Sequence, residues 1–255
     1  MPQNDGSPTL SVKPVTFSKT LLIIAVILLL LNLCGIYLKK VLLIDNHVSN
    51  ALFFFFDASS EANIPTFFSS LLLFIAAVIL YVIYKTEPKG FGKKRYWQVL
   101  MTIFAWLSVD ETASIHEQFG KMGKTFHLNS DYLYYSWIIP YILFAIIAFF
   151  FFLRFLFKLP YSTRILFIIS GFVYTGAAIC FELFEGNIAK KYGPNTLNDL
   201  LLCAAEEFLE MTGVIIFIYA LLRYAAATNP TLFLTISSRK VQEPETKTPA
   251  SNQLS

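Results

Sequence analysis

The chain has 255 residues, 56% of them hydrophobic and only 15% charged, with 26 Phe and a net charge of +3. Its mean hydropathy is +0.59, and a soluble domain of this size could not hide so much apolar surface, so the composition points to a multipass membrane protein. The few basic residues are scattered at the ends of apolar segments, which offers no surface for nucleic acid and makes membrane lipids the expected surroundings.

Residues 1–19 are polar, carry three prolines and read as a flexible tail. A membrane span needs about 20 mostly apolar residues. Six segments qualify: Thr20–Leu38, Pro65–Tyr84, Trp97–Glu117, Tyr132–Phe157, Thr163–Phe184 and Asp199–Arg223. The first, second and fourth are cleanly apolar, whereas the third, fifth and sixth carry acids. No small-x-small cleavage site follows the first segment, so it reads as a retained helix rather than a signal peptide. Between the first two spans, the region near 48–63 contains Leu52-Phe53-Phe54-Phe55-Phe56 and then a polar stretch. That run is too short to cross a bilayer and reads as an interfacial segment, either a lid over the acidic region or an anchor in lipid. Residues 226–255 are rich in Thr, Ser, Pro and Gln and read as a disordered tail. The expected fold is therefore all-α, a polytopic bundle of six transmembrane helices formed by residues 20–225.

The distribution of Lys and Arg sets the orientation. With six spans, 14 basic residues fall on one face, including Lys13, Lys19, the cluster Lys85 to Arg95, Lys158, Arg164 and Arg223. Six fall on the other: Lys39, Lys40, Lys121, Lys124, Lys190 and Lys191. Both termini are then cytoplasmic, in a cytoplasmic or plasma membrane. Tyr81, Tyr84, Tyr96 and Trp97 are expected as the inner aromatic belt, and Tyr132 to Trp137 as the outer one.

The informative residues are eight carboxylates in three windows of the spans: Asp110, Glu111 and Glu117; Glu182 and Glu185; Glu206, Glu207 and Glu210. No Lys or Arg lies within these windows, though His116 does. A charge near the bilayer centre costs roughly 2.5–3.5 kcal/mol on insertion scales, so such residues face a protein interior and mark function. Spans three and five run outward and carry their acids late; span six runs inward and carries them early. All three windows thus meet in the outer part of the membrane. At 1.5 Å per residue, Asp110 lies about 10 Å before Glu117, and Glu206 about 10 Å beyond Asp199. On helical spacing Asp110, Ser114 and Glu117 share a stripe, as do Glu182 with Glu185, and Asp199, Cys203, Glu206, Glu210 and Gly213. Glu111 and His116 point away from the Asp110 stripe, toward a neighbouring helix. Asp199 stands where an acid would cap the N-terminus of span six.

Carboxylates this dense repel one another unless protons or a metal ion intervene. The oxygen-rich set suits Ca²⁺, Mg²⁺ or Mn²⁺, or Fe or Zn with the help of His116. The expected metal ligands are Asp110, Glu111, His116, Glu182, Glu185, Glu206, Glu207 and Glu210, with Glu117 or His116 as general base. The chain lacks the Glu-x-x-His pairs of di-metal carboxylate bundles, a Gly-x-Ser-x-Gly elbow and a nucleotide-binding loop. Three cysteines, Cys34, Cys180 and Cys203, all lie in spans without a Cys-x-x-Cys pattern and read as inert thiols. The leading functional expectation is a metal-dependent membrane enzyme, an intramembrane hydrolase of lipid-like substrates. A cation or proton-coupled transporter is the alternative, although the inner halves of the spans carry almost no polar residues. An accessory membrane subunit is a third class, without a positive sign in the chain, and its protein partner is unknown.

Overall fold

The computed structural model describes residues 13–60, 62–87, 92–115 and 138–228, together with two short strands, Thr9–Leu10 and Leu234–Thr235. The strands pair antiparallel, so the segments flanking the helical body meet. Seven α-helices form that body among the described residues: α1 (Pro14–Ile36), α2 (His47–Phe56), α3 (Ile64–Thr86), α4 (Lys94–Ala113), α5 (Ile138–Lys158), α6 (Tyr161–Tyr192) and α7 (Leu197–Thr228).

Four stretches are long and apolar enough to cross a membrane: Pro14–Val41, Ile64–Thr86, Ile139–Lys158 and Tyr161–Tyr192. The expected six are therefore found only in part. Helices α4 and α7 have the length, with 20 and 32 residues. Their acids and terminal basic residues lower their apolarity, as expected for helices that turn a polar face inward.

The helix bounds differ from the expected ones for identifiable reasons. Helix α1 starts at Pro14 rather than Thr20, because proline at the first helical positions has its φ set for a helix and needs no N–H partner. It continues into a π-helical turn, Tyr37–Val41, that carries Lys39 and Lys40. Helix α6 runs on to Tyr192, which places Glu182 and Glu185 inside the helix rather than at its end. Helix α4 stops at Ala113, because Ser114 adopts the left-handed conformation with φ of 50°. The expected stripe from Asp110 through Ser114 to Glu117 is therefore interrupted at Ser114.

Helix α2 is too short to span and is fastened to the C-terminal part of α1. A reciprocal cap starts it: Ser49 N–H donates to Asn46 Oδ1 at 2.8 Å, and Asn46 N–H donates to Ser49 Oγ at 3.1 Å. Its end is held by Asn32, whose Nδ2 donates to the Phe56 carbonyl at 2.6 Å. The following turn is satisfied by Asp57, which accepts from the hydroxyls of Ser59 and Ser60 at 2.8 and 2.9 Å. Asn63 then caps α3 by accepting from Thr66 N–H at 2.9 Å.

Helices α3 and α4 form one antiparallel pair, α6 and α7 another, and α1 and α3 lie against α7. The α3–α4 seam is closed by hydroxyls. Ser70 Oγ–H donates to the Ser108 carbonyl at 2.7 Å, Ser108 Oγ–H to the Ser70 carbonyl at 3.0 Å, and Thr112 Oγ1–H to Ser70 Oγ at 2.7 Å. Small hydroxyl residues allow this close approach and satisfy one another where lipid cannot.

Apolar contacts concentrate on Leu72, Leu73, Ala76 and Leu80 of α3 and on Ile218 and Leu221 of α7. Trp97 belongs to this core. It is fully buried, edge-to-face with Phe155 at 4.8 Å and 4.9 Å from the Tyr224 ring. This corrects the expectation that Trp97 lies in the inner interfacial belt: packing against α5 and α7 removes it from the surface. Beside it, Tyr224 Oη–H donates to Glu87 Oε2 at 3.0 Å, and Lys93 Nζ lies 3.8 Å from Glu87 Oε1.

Candidate functional site

A cavity of about 910 Å³ lies among α4, α5, α6 and α7. Its two ends differ in chemistry. Asp110 and Glu111 from α4, Glu182 and Glu185 from α6, and Glu206, Glu207 and Glu210 from α7 all line it. Asp199 lines it too, so eight carboxylates reach one space. The rest of the wall is mainly apolar and aromatic, and includes Phe104, Phe152, Phe155, Phe167 and Phe217. Phe104 and Phe217 stack with centroids 4.6 Å apart, closing the space between α4 and α7 at that level. Ala58 and Ser59, just beyond α2, form part of the lining at the acidic end.

Helix geometry explains the convergence. Glu182 and Glu185 are three residues apart and share a face of α6; Glu206 and Glu210 are four apart on α7. The two helices run antiparallel, and Ser170 Oγ–H donates to the Gly213 carbonyl at 2.9 Å across their seam. A close seam at Gly213 brings the acids of both helices into register about two turns away along the pair.

Within the cavity, Glu182, Glu185 and Glu206 form the tightest group. Each offers a carboxylate oxygen, and the three oxygens lie within 4.8 Å of one another. Oxygens bound to one Ca²⁺ at 2.3–2.6 Å are at most about 5 Å apart, so the spacing fits a single cation. Glu185 is only 6% exposed, and its Oε1 has no hydrogen-bond partner among the described residues. Cys203 lines the same cavity beside the triad. The triad could hold one metal ion.

Two tyrosines complete the acidic end, and sequence reasoning passed over both. Tyr141 Oη–H donates to Asp110 Oδ2 at 2.5 Å, which ties α5 to α4. Tyr174 lies within electrostatic reach of Glu210, Glu111 and Glu207. The available signal was a phenol inside an otherwise apolar span, and for Tyr174 its eight-residue spacing from Glu182, about two turns along one face of α6. Asp199 has a local duty: its Oδ2 accepts from Asn195 N–H at 2.8 Å, in the turn that begins α7. His116 and Glu117 lie outside the described residues.

Apolar helices of membrane-spanning length around a carboxylate-lined cavity define the class: an all-helical protein suited to a bilayer, with a cluster able to hold a cation. Its family is shown by residues 21–225, which match the model of a domain of unknown function (DUF8692), so the chain belongs to that family. No curated protein and no solved structure matches the chain.

Proposed function

We propose that this is a six-span membrane protein, with α4 and α7 crossing the bilayer beside the four apolar helices, and that it is a metal-dependent enzyme acting on a lipid-like substrate. The observation that carries the reading is the shared cavity: a carboxylate triad of metal-ligand spacing opens into the same space as a long aromatic wall. Three carboxylates favour a hard divalent cation such as Ca²⁺, Mg²⁺ or Mn²⁺. Both termini are assigned to the cytoplasm and the acidic end to the outer half of the membrane, on the excess of Lys and Arg at the opposite face.

In the proposed hydrolysis, Glu182, Glu185 and Glu206 would hold the cation, whose charge would make a water molecule in the cavity easier to deprotonate. A cavity carboxylate takes the proton. The water oxygen bonds to the acyl or phosphoryl centre, the bond to the leaving oxygen or nitrogen breaks, and the proton passes to the leaving group. The alkyl part of the substrate lies against the aromatic wall. The stacked Phe104 and Phe217 give the cavity an apolar floor, which supports a substrate pocket over a path for ions.

Elemental analysis and lipid hydrolysis on the purified full chain test the reading together. The expected result is a stoichiometric divalent metal that is lost in the Glu182→Gln, Glu206→Gln double variant. Hydrolysis of a lipid ester or amide should stop with chelator and return with the metal. Full hydrolytic activity in metal-free protein would overturn the proposal.

A further inference from the structure

Part of the cavity wall also faces outward. Phe144 and Phe149 of α5 and Ile168 and Phe172 of α6 line the cavity, yet all four are exposed, Phe149 at 57% and Phe172 at 78%. A side chain can do both only at an opening. Helices α5 and α6 follow one another through the turn at Leu159 and Pro160, and antiparallel neighbours joined this closely normally pack along their length. Near the turn they are held together: Phe155 and Phe167 are buried, and both rings meet Trp97, at 4.8 and 6.2 Å. Further from the turn the facing positions, among them Ala148 and Gly171, border the cavity instead. Gly171 keeps the gap wide, because a Cβ there would meet no atom within 4 Å. Glycine inside a helix is less favourable than alanine, and unlike Gly213 this one gains no close packing in return.

We infer that the cleft between α5 and α6 is a lateral portal, and that its occupant is the hydrocarbon chain of a lipid from the surrounding bilayer. The chain enters sideways between Phe149 and Phe172 and lies against Phe155, Phe167 and Phe217. Both helices have the length and apolarity to cross a membrane, so the medium at an opening between them is lipid tails rather than water. Burying a chain against aromatic side chains there needs no passage through water. Entry from the acidic end would instead draw the chain past the carboxylates of three helices. From Phe172 to Glu182 is ten residues of α6, roughly 15 Å at 1.5 Å per residue. A lipid seated in the portal therefore brings its polar head toward the triad while its tail stays in hydrocarbon. This inference deepens the lipid-directed reading of the cavity and rests on it, but not on the metal or on hydrolysis.

The test uses the full chain in nanodiscs containing a phospholipid with a diazirine midway along one acyl chain. After illumination, adducts are mapped to residues by mass spectrometry. Adducts are expected on Phe155, Phe167 and Phe217, which line the cavity and are buried from lipid outside it, as well as on outward-facing Phe74 of α3. Gly171→Trp fills the opening and should reduce the three interior adducts about tenfold, as overfilling an apolar site expels its occupant, while the Phe74 adduct stays unchanged. Absence of interior adducts in the unaltered chain overturns the portal, and so do undiminished interior adducts in the folded variant. If Gly171→Trp does not fold, the adduct map of the unaltered chain decides. Lipid hydrolysis measured on the same preparations separates the two readings. Hydrolysis without interior adducts overturns the portal alone, whereas portal-dependent adducts in a protein that hydrolyses no lipid support the portal and overturn the enzyme reading alone.

Discussion

Gly213 of α7 meets Tyr174 of α6 so closely that a Cβ on Gly213 would stand 2.9 Å from both the Cβ and the backbone nitrogen of Tyr174. In an isolated helix, alanine would be favoured over glycine by about 0.8–1.0 kcal/mol. Here the clash involves atoms that cannot rotate away, and overpacking typically costs about 1–3 kcal/mol, so the clash wins. Gly213→Ala is expected to lower the melting temperature of the purified protein, and Gly213→Val to lower it further. Divalent-metal affinity should fall in step, since the same seam sets the distance from Glu185 to Glu206. A more stable Gly213→Ala protein would refute the close-approach reading.

Tyr141 and Asp110 make the polar tie of the otherwise lightly packed α5 to the acidic end of α4. Hydrogen bonds to charged groups contribute about 1.5–3 kcal/mol. Tyr141→Phe should therefore destabilise by an amount in that range and speed amide exchange in the first turns of α5. Asp110→Asn keeps an acceptor oxygen and should loosen α5 less than Tyr141→Phe does. Hydrogen exchange followed by mass spectrometry reads both; equal protection in all three proteins would remove the tie.

Ser70 links three hydroxyl groups across the α3–α4 seam. Such bonds look strong in a membrane, yet interhelical hydrogen bonds there average only about 0.6 kcal/mol, because the unfolded state also finds partners. Ser70→Ala is thus expected to cost on the order of 1 kcal/mol for the whole knot. Ser70→Leu should cost clearly more, because it pushes apart helices that only small residues allow to touch. Melting temperatures of the two variants measure the difference, and a Ser70→Ala loss as large as that of Ser70→Leu would contradict this ordering.

The proposed orientation makes opposite predictions for the two ends of the bundle. In a chain whose cysteines Cys34, Cys180 and Cys203 are replaced by Ser, Ser59→Cys and Asn195→Cys should react with a membrane-impermeant maleimide added to intact cells. Both positions border the acidic end of the cavity. Lys94→Cys, at the start of α4, should react only after the membrane is permeabilised. The reverse labelling pattern would invert the topology and place the acids toward the cytoplasm.

The sequence by itself determined the helical, membrane-length character of this protein and the identity of its unusual residues. Apolar runs around 20 residues and isolated carboxylates within them are local features, and spacings such as Glu182 to Glu185 translate directly into a shared helix face. Other features depend on contacts between segments far apart in the chain, and no local pattern encodes them. Trp97 looked interfacial because aromatic residues at span ends usually are, and only its packing on Phe155 and Tyr224 buried it. Tyr141 lay in a span that read as plainly apolar, and only the placement of α5 beside α4 gave its hydroxyl Asp110 as an acceptor. Ordinary helix propensity would extend α4 through Ser114, but the chain turns there into the left-handed region. Depth along helices brought the three acidic windows to a common level. The choice of Glu182, Glu185 and Glu206 as the tight triad came only with the tertiary structure, because the close seam at Gly213 sets how far apart α6 and α7 hold their side chains.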